Sequence, residues 1–177
     1  MVYQVNCRIE GTAPLLQNKI IEMNESPKKR SEEKDNAELA TEKRYIVDGK
    51  IVQPAICIER AMVQASSSIK MQGSGKKTYK ELFMGSVFVR PEFIEHQHQN
   101  WKVHKCTVVI PATKGRINRY RPVLDRWALN FVIEILDDRI KSDVLKLILD
   151  EAGRTKGIGD WRPRYGRFIV TKFEIEK

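Results

Sequence analysis

Apolar and polar residues alternate from the start of the chain. Tyr3, Val5, Cys7 and Ile9 take one side, and Gln4, Asn6, Arg8 and Glu10 take the other. This is the period-two pattern of a strand with one buried face. Gly11 and Pro14 end it. Residues 18–44 then carry many charges and few apolar side chains, which predicts a mobile or partly helical insertion and not a second domain. Asp48-Gly49 marks a turn, and Ile51-Val52 form a short extended pair. Pro54 stands where a first helical residue would. Behind it Ile58, Ala61, Met62, Ala65 and Ile69 keep to one helical face, and Ser66 to Ser68 weaken the end.

The stretch QGSGKKTYKEL (72–82) reads as a loop. FMGSVFV (83–89) and VHKCTVVIP (103–111) read as extra strands across about 83–110, a hairpin or sheet extension. Residues 116–123 and 127–136 predict a second pair around the turn Leu124-Asp125-Arg126, with Trp127, Leu129, Phe131, Ile133 and Ile135 on one face. Ser142 is placed to cap a helix carrying Val144, Leu145, Ile148, Leu149 and Ala152, stopped at Gly153. FIVTKFEI (168–175) is the final strand. With the insertions removed, the order is strand, helix, strand, strand, helix, strand. That order predicts an α+β, ferredoxin-like or RRM-like βαββαβ domain, with two helices on one face of an antiparallel sheet and the other face available.

The length, 177 residues, suits a single domain spanning 1–177 with the 18–44 insertion. With 41% hydrophobic and 31% charged residues the chain fits a soluble globular class. No stretch approaches the roughly 20 apolar residues of a membrane span, and the start lacks a signal-peptide profile, so a cytoplasmic location and no membrane partner are expected. Cys7, Cys57 and Cys106 are an odd number, far apart and set in apolar patterns. That favours free buried thiols over disulfides, and no Cys/His pairing suggests zinc. The net charge of +9 attracts polyanions, of which nucleic acid is the commonest.

Charge placement then decides where to look. The loop GIGDWRPRYGRF (157–168) combines three residue types. Gly157, Gly159 and Gly166 allow positive φ and close approach of a ligand to backbone N–H groups. Arg162, Arg164 and Arg167 supply fork-shaped donors for phosphate. Trp161 and Tyr165 offer rings that stack on bases. The plainer alternative is a turn with solvated arginines and aromatics that cap the core. In KGRINRYRP (114–122), Lys114, Arg116, Arg119 and Arg121 are basic, and as a strand Arg119 and Arg121 point away from Tyr120. The same charges would also protect an edge strand from aggregation. Lys76 and Lys77 lie in a GSGKK loop that lacks the full nucleotide-binding P-loop pattern. His96 and His98 would share one side of a strand as a metal pair, or sit in a plain polar loop. Nothing marks a nucleophile, a metal site or a cofactor.

Three segments resemble the RAMP superfamily, the ferredoxin-like RNA-binding proteins that build CRISPR effector backbones and process CRISPR RNA. CRIEGTAPLL (7–16) is similar to its first strand and proline-containing turn. GKIVQPAICIERAMVQA (49–65) is similar to the short strand and proline leading into a first helix with a basic residue, here Arg60. GIGDWRPRYGRFIV (157–170) is similar to its glycine-rich loop before the last strand. Residues 70–115 match nothing in that pattern, and the loop also resembles phage and prophage proteins.

The resemblance implies sequence-tolerant binding of single-stranded nucleic acid, RNA ahead of DNA, by copies assembled along the strand with one another or with other effector subunits. The contact residues expected are Lys76, Lys77, Arg116, Arg119, Arg121, Gly157, Gly159, Trp161, Arg162, Arg164, Tyr165, Gly166 and Arg167. The processing nucleases of the family use two ferredoxin-like halves and often a histidine near the first helix, and this chain has room for one half and no histidine there. The outward side of the first strand carries no aromatic, so backbone-led binding is expected over base stacking on the sheet. Two other functions stay open: a metal-independent endoribonuclease using His96, His98 or His104, and a phage interaction factor whose basic surface meets an acidic host protein.

Overall fold

A computed structural model describes residues 2–21 and 37–176. Most of the charged insertion, residues 22–36, lies outside the described residues. Along the chain run β1 (Tyr3–Gly11), β2 (Leu15–Leu16), α1 (Ala37–Glu42), β3 (Ile46–Val47), β4 (Lys50–Pro54), α2 (Ile56–Ser66), α3 (Lys80–Ser86) and β5 (Val87–Arg90). There follow β6 (Phe93–Glu95), β7 (Lys102–Val109), β8 (Arg116–Leu124), β9 (Ala128–Ile135), α4 (Ser142–Glu151), a π-helical turn (Ala152–Lys156) and β10 (Phe168–Glu176).

The alternation of residues 3–10 is consumed on both strand edges. β1 pairs with β10 on one side and β9 on the other, and β5 completes an antiparallel sheet in the order β10-β1-β9-β5. The register sets Val5 opposite Ile133, Cys7 opposite Phe131 and Ile9 opposite Leu129. These rows share one buried face, closed by Ile58, Ala61, Met62 and Ala65 of α2 and by Leu145, Ile148 and Leu149 of α4. Strand order and helix placement are those of the expected βαββαβ arrangement. The three cysteines are free, Cys7 in this core and Cys57 and Cys106 half-buried.

Several local expectations change. The run 83–89 divides: its first part belongs to α3, which buries Phe83, and its second is β5, the fourth strand of the main sheet. Val87 and Val89 face Ile135 and Ile133 of β9, so burial decides that boundary. Residues 116–123 do not pair with 127–136, because both edges of β9 are already taken by β1 and β5. Instead β8 pairs along its whole length with β7 and at its base with β2. Asp125 and Arg126 are exposed and carry the chain from one sheet to the other. Pro54 closes β4 and does not open α2. No side chain caps α4, which runs beyond Ala152 into the π-helical turn and stops at Gly157 rather than at Gly153.

Trp127 plugs the junction between the sheets. Its indole Nε1–H donates to Ala13 O at 2.8 Å. A Cβ placed on Gly11 would come within 2.2 Å of that nitrogen, so only glycine fits there. Edge-on to Trp127, at 6.4 Å between centroids, lies His96. It is 1% exposed, and neither ring nitrogen has a partner among the described residues.

Burial, with a smaller contribution from His98, pushes the His96 pKa down from 6.5 to about 4. The unfolded chain therefore takes up a proton at a pH where the folded chain does not. This contribution to stability is complete above about pH 6.5 and is lost as pH falls towards about 4, by up to about 3 kcal/mol. Urea unfolding across that range should show the decline. His96→Leu should flatten it without loss of stability at neutral pH, since the imidazole makes no hydrogen bond to lose. An undiminished pH dependence in the variant would assign the effect elsewhere.

Candidate functional site

The loop 157–167 begins where α4 widens. Gly157 N–H donates to Ala152 O at 2.8 Å across the π-helical turn, and Ile158 behind it is fully buried. The loop then folds back on the segment after β1. Asp160 N–H donates to Leu16 O and Gly166 N–H to Pro14 O, both at 2.8 Å, while Thr12 N–H donates to Arg167 O at 2.8 Å. Ile158 N–H donates to Gly166 O at 2.9 Å and ties the loop's ends together.

Gly159 and Gly166 both adopt the expected positive φ, +80 and +72. The backbone that approaches them is the protein's own. A Cβ on Gly166 would sit 1.7 Å from Ile158 O, and one on Gly159 would sit 2.5 Å from Leu16 O.

A cluster of rings and charges holds the loop's other side. Arg121, on β8, donates from Nε to Asp160 Oδ2 and places its guanidinium carbon 4.6 Å from the Trp161 ring centroid. Its side chain is 12% exposed. His104, opposite Arg121 on β7, meets Trp161 and Tyr165 edge-on at 5.8 and 5.5 Å. Tyr165 Oη lies 3.1 Å from His104 Nε2. Burial and then the Arg121 charge hold the His104 pKa below its ordinary value. Trp161 is kept at φ +53, a conformation sparsely populated by bulky residues and stable only when its surroundings fix it.

The sequence-derived residues therefore separate into groups. Arg121, Trp161 and Tyr165 come together with His104 and Asp160 as the clamp that seats the loop. Arg162, Arg164 and Arg167 are exposed around it. Arg116 and Arg119 are exposed further along β8, where Lys105 stands 5.8 Å from the ring of Tyr120. Lys76 and Lys77 lie at the opposite end of the main sheet, roughly 30 Å away along nine-residue β1. There they line a cleft with Lys80, Asp137 and Arg139. The histidines are dispersed: His96 is in the core, His98 is exposed and His104 is in the clamp. Neither Asp160 nor His104 is among the contact residues expected from sequence; Asp160 lies within the highlighted loop 157–168, whereas His104 lies on the strand 103–111, outside both basic segments.

The sheet face away from the helices is a different surface. Arg8 pairs with Glu10 at 2.9 Å, Arg90 with Glu134 at 3.2 Å and Lys172 with Glu174 at 2.9 Å. Asn6 donates to Glu176 beside them. Charges there are matched within the protein, and the basic excess lies elsewhere.

No protein-family model matches the chain, and no curated protein matches it in sequence. In three dimensions it is similar to a chain in a cryo-EM structure described as the Type III-B Cmr-beta bound to cognate target RNA, with TM-score 0.60 and 13% identity. The match covers 99% of this chain and 61% of that one, so this chain spans about 61% of its neighbour's length. At that identity the likeness establishes a shared fold. Among the described residues, no helix is long and apolar enough to cross a membrane.

The clamp makes a stability prediction. Arg121→Met should cost about 2 kcal/mol, because Asp160 loses a charged hydrogen-bond partner in a half-buried setting. Hydrogen exchange should quicken at the amides of Asp160, Tyr165 and Gly166 more than in the main sheet. Unchanged protection of those amides would show that the backbone strap alone fixes the loop.

Proposed function

We propose that the protein binds single-stranded nucleic acid through its sugar-phosphate backbone, RNA ahead of DNA, as a RAMP-like subunit of a CRISPR-type effector assembly. The observation that carries this reading is the placement of Arg162, Arg164 and Arg167. They are exposed on a loop clamped to two parts of the fold, so their guanidinium groups are presented from a fixed support. Pre-organised forks of this kind match phosphate oxygens and lose less freedom on binding. Arg116 and Arg119 extend the basic surface along β8, and Lys76 and Lys77 provide a second basic end. The fold shared with a chain from an RNA-bound Cmr-beta structure supports RNA and other effector subunits, or further copies of this chain, as partners. On this reading residues 1–177 serve as one RAMP-like domain.

The matched charges on the open sheet face support the same reading from the other direction. On that face the two central strands, β1 and β9, carry no aromatic residue, and the ion pairs balance the positive charge, unlike RRM-type sheets that hold bases. Binding led by the loop is sequence-tolerant, since every strand offers the same phosphates.

Affinity for single-stranded RNA should fall with salt, by about 0.7 in log–log slope for each phosphate neutralised. The double variant Arg162→Ala, Arg164→Ala should bind every sequence more weakly and show a shallower slope. Its fold should persist, because exposed changes usually shift stability by only about 0.5 kcal/mol. A folded double variant with the parent's affinity and slope would remove the loop from the interface and leave Arg116 and Arg119 as the contacts to test.

A further inference from the structure

Beside the loop is a small cleft of about 140 Å³, walled by Tyr45, Cys57, Gly159 and Asp160, with Asn18 at its edge and Gln53 beneath. Its floor is built from two buried amides. Gln17 and Gln53 are each 1% exposed. Gln17 Nε2 donates to Val52 O at 2.7 Å and to Gln53 Oε1 at 3.2 Å, and Gln17 Oε1 accepts from Tyr45 N–H at 3.1 Å. These hydrogen bonds hold the two buried amides in place and fix the shape of the cavity above them. Burial raises the Cys57 thiol pKa, a rise opposed by Gln53 and then by the charges of Arg162 and Arg60.

We infer that this cleft receives one unstacked pyrimidine base of the bound strand, cytosine in preference to uracil. The inference rests on the phosphate-binding reading above and adds base selection to it. Size points to a single six-membered ring, since a cavity of about 150 Å³ is known to admit benzene. Tyr45 supplies an aromatic ring on which a base can stack, and the Gly159 backbone forms part of the lining. Asp160 supplies the discrimination. A carboxylate only accepts hydrogen bonds. Its Oδ2 is engaged by Arg121 Nε, so Oδ1 is the acceptor it offers to a ligand. Cytosine presents an exocyclic amine there, whereas uracil presents a carbonyl oxygen that a carboxylate repels. Asn18 can donate or accept at the ring's other edge. Arg162 follows Asp160 by two positions on the same loop and is exposed, which links the base cleft to the phosphate surface.

Competition binding of the full chain with short oligocytidylate and oligouridylate tests this, together with iodoacetamide labelling of Cys57 read by peptide mass. The expected result is about tenfold tighter binding of oligocytidylate and slower alkylation of Cys57 in its presence than in the presence of oligouridylate. Asp160→Asn should abolish the preference. Because that change also touches the Arg121 clamp, Cys57→Leu is the second variant. It fills the cleft from α2 without altering the clamp, and should erase the preference while keeping the parent's salt slope. Equal affinity for both oligonucleotides, with a normal salt slope and unprotected Cys57, would overturn the base cleft and leave the phosphate reading intact. Failure of either strand to bind would overturn both.

Discussion

The architecture depends on how residues 157–167 fold back on residues 12–16. That crossing is made by backbone hydrogen bonds from Asp160 to Leu16, from Gly166 to Pro14 and from Thr12 to Arg167. It draws the end of β1, the start of β10 and the base of the β7–β8 hairpin to one place. The crossing is tight enough to admit no Cβ at Gly166 and little at Gly159. Side chains complete what the backbone begins. Arg121 reaches from the hairpin to Asp160 and Trp161, and His104 fills the angle between Trp161 and Tyr165. A basic loop that would otherwise be free to move is thereby turned into a fixed part of the domain.

This arrangement accounts for the loop's crowded composition. Glycines are needed where one part of the chain crosses another, aromatics where the loop meets the hairpin, and arginines where the outer turn meets solvent. Each residue type serves a different neighbour, and the twelve-residue segment is short because the neighbours are close together. The half-buried Arg121 and the exposed Arg162, Arg164 and Arg167 look alike in sequence and differ entirely in surroundings.

That difference shows where sequence reading works and where it stops. The alternation in β1 was legible because both its edges are paired and one face is fully buried, so every second residue is constrained. The apolar faces of α2 and α4 were legible for the same reason. The division of 83–89 was not, because Phe83, Val87 and Val89 are all apolar and only contact with β9 separates the helical part from the strand. Positive φ at Gly159 and Gly166 could be anticipated from residue type, but the identity of the crowding atoms could not, since Leu16 is remote in the chain. His104 enters the sequence reading only as a candidate residue of the endoribonuclease alternative. Its partner Tyr165 is 61 positions away, and no local pattern reports such a contact.

The balanced ion pairs on the open sheet face have a consequence for encounter as well as for binding. A protein with net charge +9 spread evenly would attract a polyanion from every direction and capture it in many unproductive poses. Here one broad face is nearly silent, because Glu10, Glu134 and Glu174 neutralise the arginines and lysine beside them. The exposed Arg162, Arg164 and Arg167 lie on the loop, away from that face, which gives the molecule a directional field. Within a Debye length of about 8–10 Å at moderate salt, such a field exerts a torque as well as a pull. An approaching strand is turned before it touches, and the acidic side chains of the quiet face help to set the direction in which it arrives.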